Sequence, residues 1–190
     1  MSKTGAFAFE SYVIFTKNVN KFFHSQLNFH KICMCGNDNV KLQVQNTPNL
    51  LSNLVSTISK FLKTAPIVEA GLNCCHVVCL RQPEICTIFS QLNLAGVTIS
   101  AMETHAEEIG VLKAGSMVIR NMVARTREYK KLFLEGHAEA LLTGILKRYP
   151  DRIDLVEVTR AAIRDLDLEL DLCTKWDGSG KNQMKHDWEV

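Results

Sequence analysis

Three residues spaced one fixed step apart are the most chemically suggestive feature of the chain: His76, Arg120 and Arg164 each lie 44 residues beyond the one before. Val77, Asn121 and Asp165 follow them directly, and Glu69, Lys113 and Glu157 precede them by seven residues. Asn73 stands a helical turn before His76. Set along parallel helices, these side chains form a ladder. Guanidinium forks suit carboxylates or phosphates, and the Asn121 amide can hydrogen-bond a peptide backbone. The natural ligand is an extended, partly acidic segment of another protein, held by Asn73, His76, Lys113, Arg120, Asn121, Arg164 and Asp165. The plainer reading is that the arginines pair with Asp165, Glu157 or other neighbours and only solvate the face.

A second basic group, Arg125, Arg127, Lys130 and Lys131, is interleaved with Thr126, Glu128 and Tyr129. It is the alternative site, for RNA or another phosphate ligand, with affinity expected to fall steeply with salt. The cysteines offer less. Cys33 and Cys35 follow His24 and His30, and Cys75 and Cys79 share a helical face beside His76, but neither spacing matches a usual zinc module. They read as core thiols, with no metal or cofactor expected. A nucleophilic cysteine needs a base within reach, and adjacent helical residues do not face each other. With no Gly-rich phosphate loop, HExxH or nucleophile elbow, no enzymatic activity is expected.

The elements that must carry these residues repeat. The stretch from Glu107 to Thr126 has Leu112, Ser116, Ile119 and Val123 along one helical line and Val111, Val118 and Met122 along another. Only Lys113, Met117, Arg120, Asn121 and Ala124 are left for water, so the helix is expected to be sandwiched. A step of 44 residues places Glu69-Ala70-Gly71 under Lys113-Ala114-Gly115, and Ala162-Ile163-Arg164-Asp165 under Val118-Ile119-Arg120-Asn121. Periods of about 40 to 47 residues belong to stacked helical arrays, in which each unit buries its apolar face on the next.

The units divide as 37–81, 82–126 and 127–172, each with two short helices and a long one, after a partial unit at 20–36. Pro48, Pro66 and Pro83 are expected to mark helix starts. Residues 1–19 are an unassigned leader, and 175–190 a polar tail expected to be mobile outside the fold. Hydrophobic residues are 46% of the chain and charged ones 22%, ordinary for a soluble protein, and the net charge of +2 does not call for nucleic acid. All eight arginines lie from Arg81 onward, and the tail after Leu166 is acidic. The seven cysteines are odd in number and follow no secretory signal, which points to reduced thiols in the cytoplasm or nucleus. No apolar run approaches the roughly 20 residues of a membrane span.

Specific stretches then resemble the armadillo repeat family. They are Cys35-Gly36-Asn37-Asp38-Asn39-Val40-Lys41, Leu80-Arg81-Gln82-Pro83, Met117-Val118-Ile119-Arg120-Asn121-Met122-Val123-Ala124, Glu139-Ala140-Leu141 and Arg160-Ala161-Ala162-Ile163-Arg164-Asp165-Leu166. The resemblance covers roughly residues 30 to 177. It implies an all-α, right-handed superhelix, an α-solenoid of about three three-helix repeats plus a leading helix. The long helices would line a concave groove of a non-enzymatic protein-binding scaffold. Longer members carry further N-terminal repeats, so the leader, or the aromatic cluster Phe22, Phe23 and Phe29, is expected to cover an otherwise exposed N-terminal end, which failing that would promote self-association. Members that hold nuclear-import peptides place a Trp four residues before the groove Asn. Here Met117 stands before Asn121, so no import-receptor role is implied.

Overall fold

The computed structural model describes residues 38–124 and 126–168. The leader, the partial unit at 20–36 and the polar tail lie outside them. Among the described residues the chain is all-helical, with no strand. The helices are α1 (Asp38–Asn46), α2 (Leu50–Lys60), α3 (Ala65–Cys79), α4 (Pro83–Gln91), α5 (Leu94–Thr104), α6 (Ile109–Val123), a 3-10 turn (Arg127–Tyr129), α7 (Lys130–Glu135), α8 (Ala138–Arg148) and α9 (Ile153–Asp165).

The 44-residue step is imprinted on the backbone. α2, α5 and α8 start 44 residues apart, as do α3, α6 and α9. The residue before each of α2, α5 and α8 is left-handed: Asn49 (φ 60), Asn93 (φ 56) and His137 (φ 62). One such residue reverses the chain between two short helices, and asparagine tolerates it because its short polar side chain bonds locally. Thr64, Glu108 and Arg152, also 44 apart, take non-helical backbone angles and start the long helices. Pro66 and Pro83 lie in the first turns of α3 and α4. Pro48 does not. It precedes the left-handed Asn49, so the turn chemistry of asparagine starts α2, and the expectation for this proline is corrected.

The central helix, α6, packs between α3 and α9, and α2, α5 and α8 lie against α3, α6 and α9 in turn. One core runs through the stack, and Leu72, Phe89, Leu112, Ile119, Phe133 and Leu142 in it are closed to solvent. Two glycines set how closely the layers approach. A Cβ on Gly71 would meet Ile58 Cγ1 at 2.5 Å, and one on Gly115 would collide with the Met102 side chain. Both members of each pair are 44 residues apart from their counterparts. The third unit has Thr159 there, and its hydroxyl lies 3.5 Å from that of Ser116 on α6, both fully buried.

Polar bonds between units also recur. His105 Nε2 donates to the Leu62 carbonyl at 2.7 Å, and one unit later Tyr149 Oη donates to the Ala106 carbonyl at 3.1 Å. Within the first unit Lys41, only 1% exposed, donates from Nζ to the Leu80 carbonyl at 2.6 Å, just past the end of α3, where the helix dipole favours a cation. No single helix among the described residues is long and apolar enough to cross a membrane. The bent pair α4–α5, which turns by 74°, is apolar enough, and its buried side chains fill the core.

Candidate functional site

The layer formed by α3, α6 and α9 is covered on one side by α2, α5 and α8. The strip of α6 reserved for water by its apolar pattern is the part left accessible: Lys113, Met117 and Asn121 are half-buried, and Arg120 and Ala124 exposed. Asn73 is half-buried at the matching place on α3, and Arg164 is exposed on α9. Arg164 forms no ion pair among the described residues.

His76 departs from the ladder. It is 5% exposed, so its side chain is closed to solvent, unlike those of its counterparts Arg120 and Arg164. Its main-chain carbonyl meets the ladder, accepting a bond from Asn121 Nδ2 at 2.7 Å. One unit on, the equivalent contact is ionic, Arg120 Nε to Asp165 Oδ2 at 3.7 Å. The ladder residues are thus brought together, but partly by bonding one another across the junctions. Half the Arg120 side chain stays exposed in that pair, and such ion pairs are worth about 0–1 kcal/mol, so a ligand carboxylate can replace Asp165 at little cost.

A second station lies near the start of the long helices. Lys113 Nζ donates to Asp154 Oδ2 at 3.0 Å, and the bonded ammonium holds the Asp154 carboxyl below its ordinary range. The corresponding place between α3 and α6 is taken by Glu69, whose carboxylate lies over Gly110. Asp154 is a ladder partner that sequence reasoning missed. The signal was a spacing of 41 residues to Lys113, which differs from the period because neighbouring helices slide past one another.

Two cations of the basic group at the turn after α6 share one carboxylate of the chain itself. Lys130 Nζ and Arg127 Nη1 reach Asp167 Oδ2 at 2.7 and 3.4 Å. The hydrogen bond from Lys130 and the charge of Lys130 and Arg127 hold Asp167 below the usual carboxylate range. Lys131 is exposed and outside any ion pair among the described residues, and Arg125 is not among them. Asp167 is the second acid that sequence reasoning missed. It is placed by a left-handed turn (φ 54) in which Leu168 N–H donates to the Ile163 carbonyl at 3.1 Å, the Schellman ending of α9.

Cys74, Cys75, Cys79 and Cys86 are buried and form no disulfide among the described residues. Burial pushes the Cys75 and Cys79 thiols well above their ordinary value, and the Cys79 thiol beside Cys86 holds that one down. Cys86 Sγ donates to the Cys79 carbonyl at 3.7 Å. Among the described residues no group of three or more His, Cys, Asp or Glu is placed to hold a metal ion. No family model, curated protein or solved structure matches the chain.

Proposed function

We propose that the chain is an armadillo-type right-handed superhelix serving as a non-enzymatic protein–protein interaction scaffold in the cytoplasm or nucleus. Its partner supplies an extended, partly acidic segment that lies across the open strip of α3, α6 and α9. The observation that carries the reading is Arg164, exposed on that strip with no ion pair among the described residues, beside the loosely paired Arg120. Two guanidinium groups one unit apart suit carboxylates spaced along an extended segment. Asn73 and Met117 lie between the charged stations and supply the amide and the soft apolar contact that such a segment needs. The buried His76 contributes by fixing Asn121 through its carbonyl.

The test is capture from cell lysate by the intact chain and by Arg120→Glu with Arg164→Glu, each with a nuclease-treated duplicate. Partners retained by the native chain and lost by the variant support the scaffold, provided that the variant keeps its helicity and a thermal midpoint within the equivalent of about 1 kcal/mol. Identical captures in every lane refute it. Loss on nuclease treatment alone favours the phosphate-binding reading, which the Asp167 pairs with Arg127 and Lys130 weigh against.

A further inference from the structure

Three of the buried thiols meet where the first unit ends and the second begins. Cys75 and Cys79 stand one turn apart on a single face of α3, and Cys86 comes from the first turn of α4. The chain between them is short and shaped. Arg81 is left-handed (φ 63), and the Cys79 carbonyl accepts both the Gln82 N–H at 3.1 Å and the Cys86 thiol at 3.7 Å. Cys86 is so held over the end of α3. When ionised, its sulfur also accepts a bond from the Cys79 thiol, which sets the two sulfur atoms side by side.

The two thiols differ in a way that divides a reaction between them. The bond from Cys79 favours the Cys86 thiolate, and burial offsets it only in part. Cys79 keeps its proton, because of burial first and then of its bond to Cys86. Cys86 is also the member of the three nearest to water, 3% exposed against 0% for Cys75 and 1% for Cys79, with Pro83, Glu84 and Thr87 exposed around it. Lys41, whose Nζ donates to the Leu80 carbonyl, puts a buried positive charge near Cys79 and so eases the loss of its proton.

We propose that Cys86 and Cys79 are a peroxide-oxidised pair, a reversible modification site that fastens α3 to α4 across the boundary between units. The Cys86 thiolate attacks one oxygen of hydrogen peroxide, the O–O bond breaks, and the departing hydroxide takes up a proton to leave as water. Cys86 is then a sulfenic acid. The Cys79 sulfur attacks the Cys86 sulfur, the S–O bond breaks, and the hydroxyl leaves as a second water with the Cys79 proton. Peroxide takes the two electrons that the thiols lose, and an external thiol returns them. No residue of the open strip takes part, so the pair lies beyond the scaffold reading.

The test uses the full, folded chain. Trypsin cleavage after Arg81 separates residues 64–81, which carry Cys74, Cys75 and Cys79, from residues 82–113, in which Cys86 is the only cysteine. The chain is treated with hydrogen peroxide, denatured with an alkylating agent present, digested without reductant and mapped by mass spectrometry. The two peptides are expected to be joined through Cys79 and Cys86, and to separate with dithiothreitol. Cys79 and Cys86 are expected to lose alkylation together, about ten-fold faster than Cys74 and Cys75. Equal loss at all four marks oxidation of the unfolded chain and overturns the proposal, as does a link from Cys86 to any other cysteine. In Cys79→Ala the Cys86 sulfenic acid is expected to persist and be trapped by dimedone. In Cys86→Ala the Cys79 thiol is expected to stay reduced, and its oxidation at the native rate overturns the division of roles. The map of the native chain decides the pairing even where a variant fails to fold.

Discussion

Gly71 and Gly110 are both helical glycines, yet their substitution is expected to act in opposite directions. At Gly71 a new Cβ meets Ile58 near its branch point, a stiff side chain with no room to turn aside. Gly71→Ala is expected to destabilise by about 1–3 kcal/mol, as overpacking does. Gly115→Ala meets Met102 instead, whose unbranched chain re-packs, and is expected to cost less. At Gly110 only the end of the Glu69 side chain is in the way, so Gly110→Ala is expected to gain up to about 1 kcal/mol of helix propensity. Urea denaturation of the three variants checks the order. At the same scale, Asp154 and Asp167 each have a carboxyl held below its unfolded value of about 3.9. A depressed folded pKa stabilises above that value and loses the contribution as pH falls through the folded pKa, so the thermal midpoint is expected to drop below about pH 4. The drop is expected to be shallower in Asp154→Asn with Asp167→Asn. Both carboxylates are exposed, so high salt is expected to flatten the difference.

At the scale of the element, the left-handed residues before α2, α5 and α8 do one job with unequal means. Asn49 and Asn93 suit the conformation, whereas His137 holds it with a larger ring. His137→Gly is expected to stabilise the chain by about 1 kcal/mol, measured as a higher urea midpoint, since the left-handed region costs most residues about 1–2 kcal/mol. Helix starts and the 44-residue step were legible in the sequence because apolar lines and glycines at 71 and 115 report packing that every unit repeats. The sandwiched α6 was legible for the same reason: Leu112, Ser116, Ile119 and Val123 are all buried. What was not legible is how far one helix slides along the next. That slide pairs Lys113 with Asp154, and the burial of His76, whose counterparts Arg120 and Arg164 stay exposed, was not legible either. The slide also decides that Asn121 bonds a carbonyl of the neighbouring helix. The role of Pro48 was misread because proline and asparagine both signal a turn, and only the backbone shows which one starts the helix.

Across the whole molecule, stability rests on junctions between units. Ile119, fully buried on α6, is expected to be intolerant of Ile119→Asp, which leaves an unpaired charge in the core and should abolish cooperative thermal unfolding monitored by circular dichroism. The third unit differs from the others where α9 begins. Ile153 is 70% exposed, while its counterparts Ile109 and Ala65 are half-buried against the next unit. The series Leu72, Ser116, Arg160 at one position runs from apolar to charged in the same direction, as suits a unit that turns a more polar side outward. The hydrogen bonds that tie one unit to the next span 41 to 45 residues, so each joins immediate neighbours. A chain emerging from the ribosome therefore needs only the unit just completed as a template for the one being made. Synthesis and folding can advance in step, and an interrupted chain keeps the polar bonds of the units already laid down.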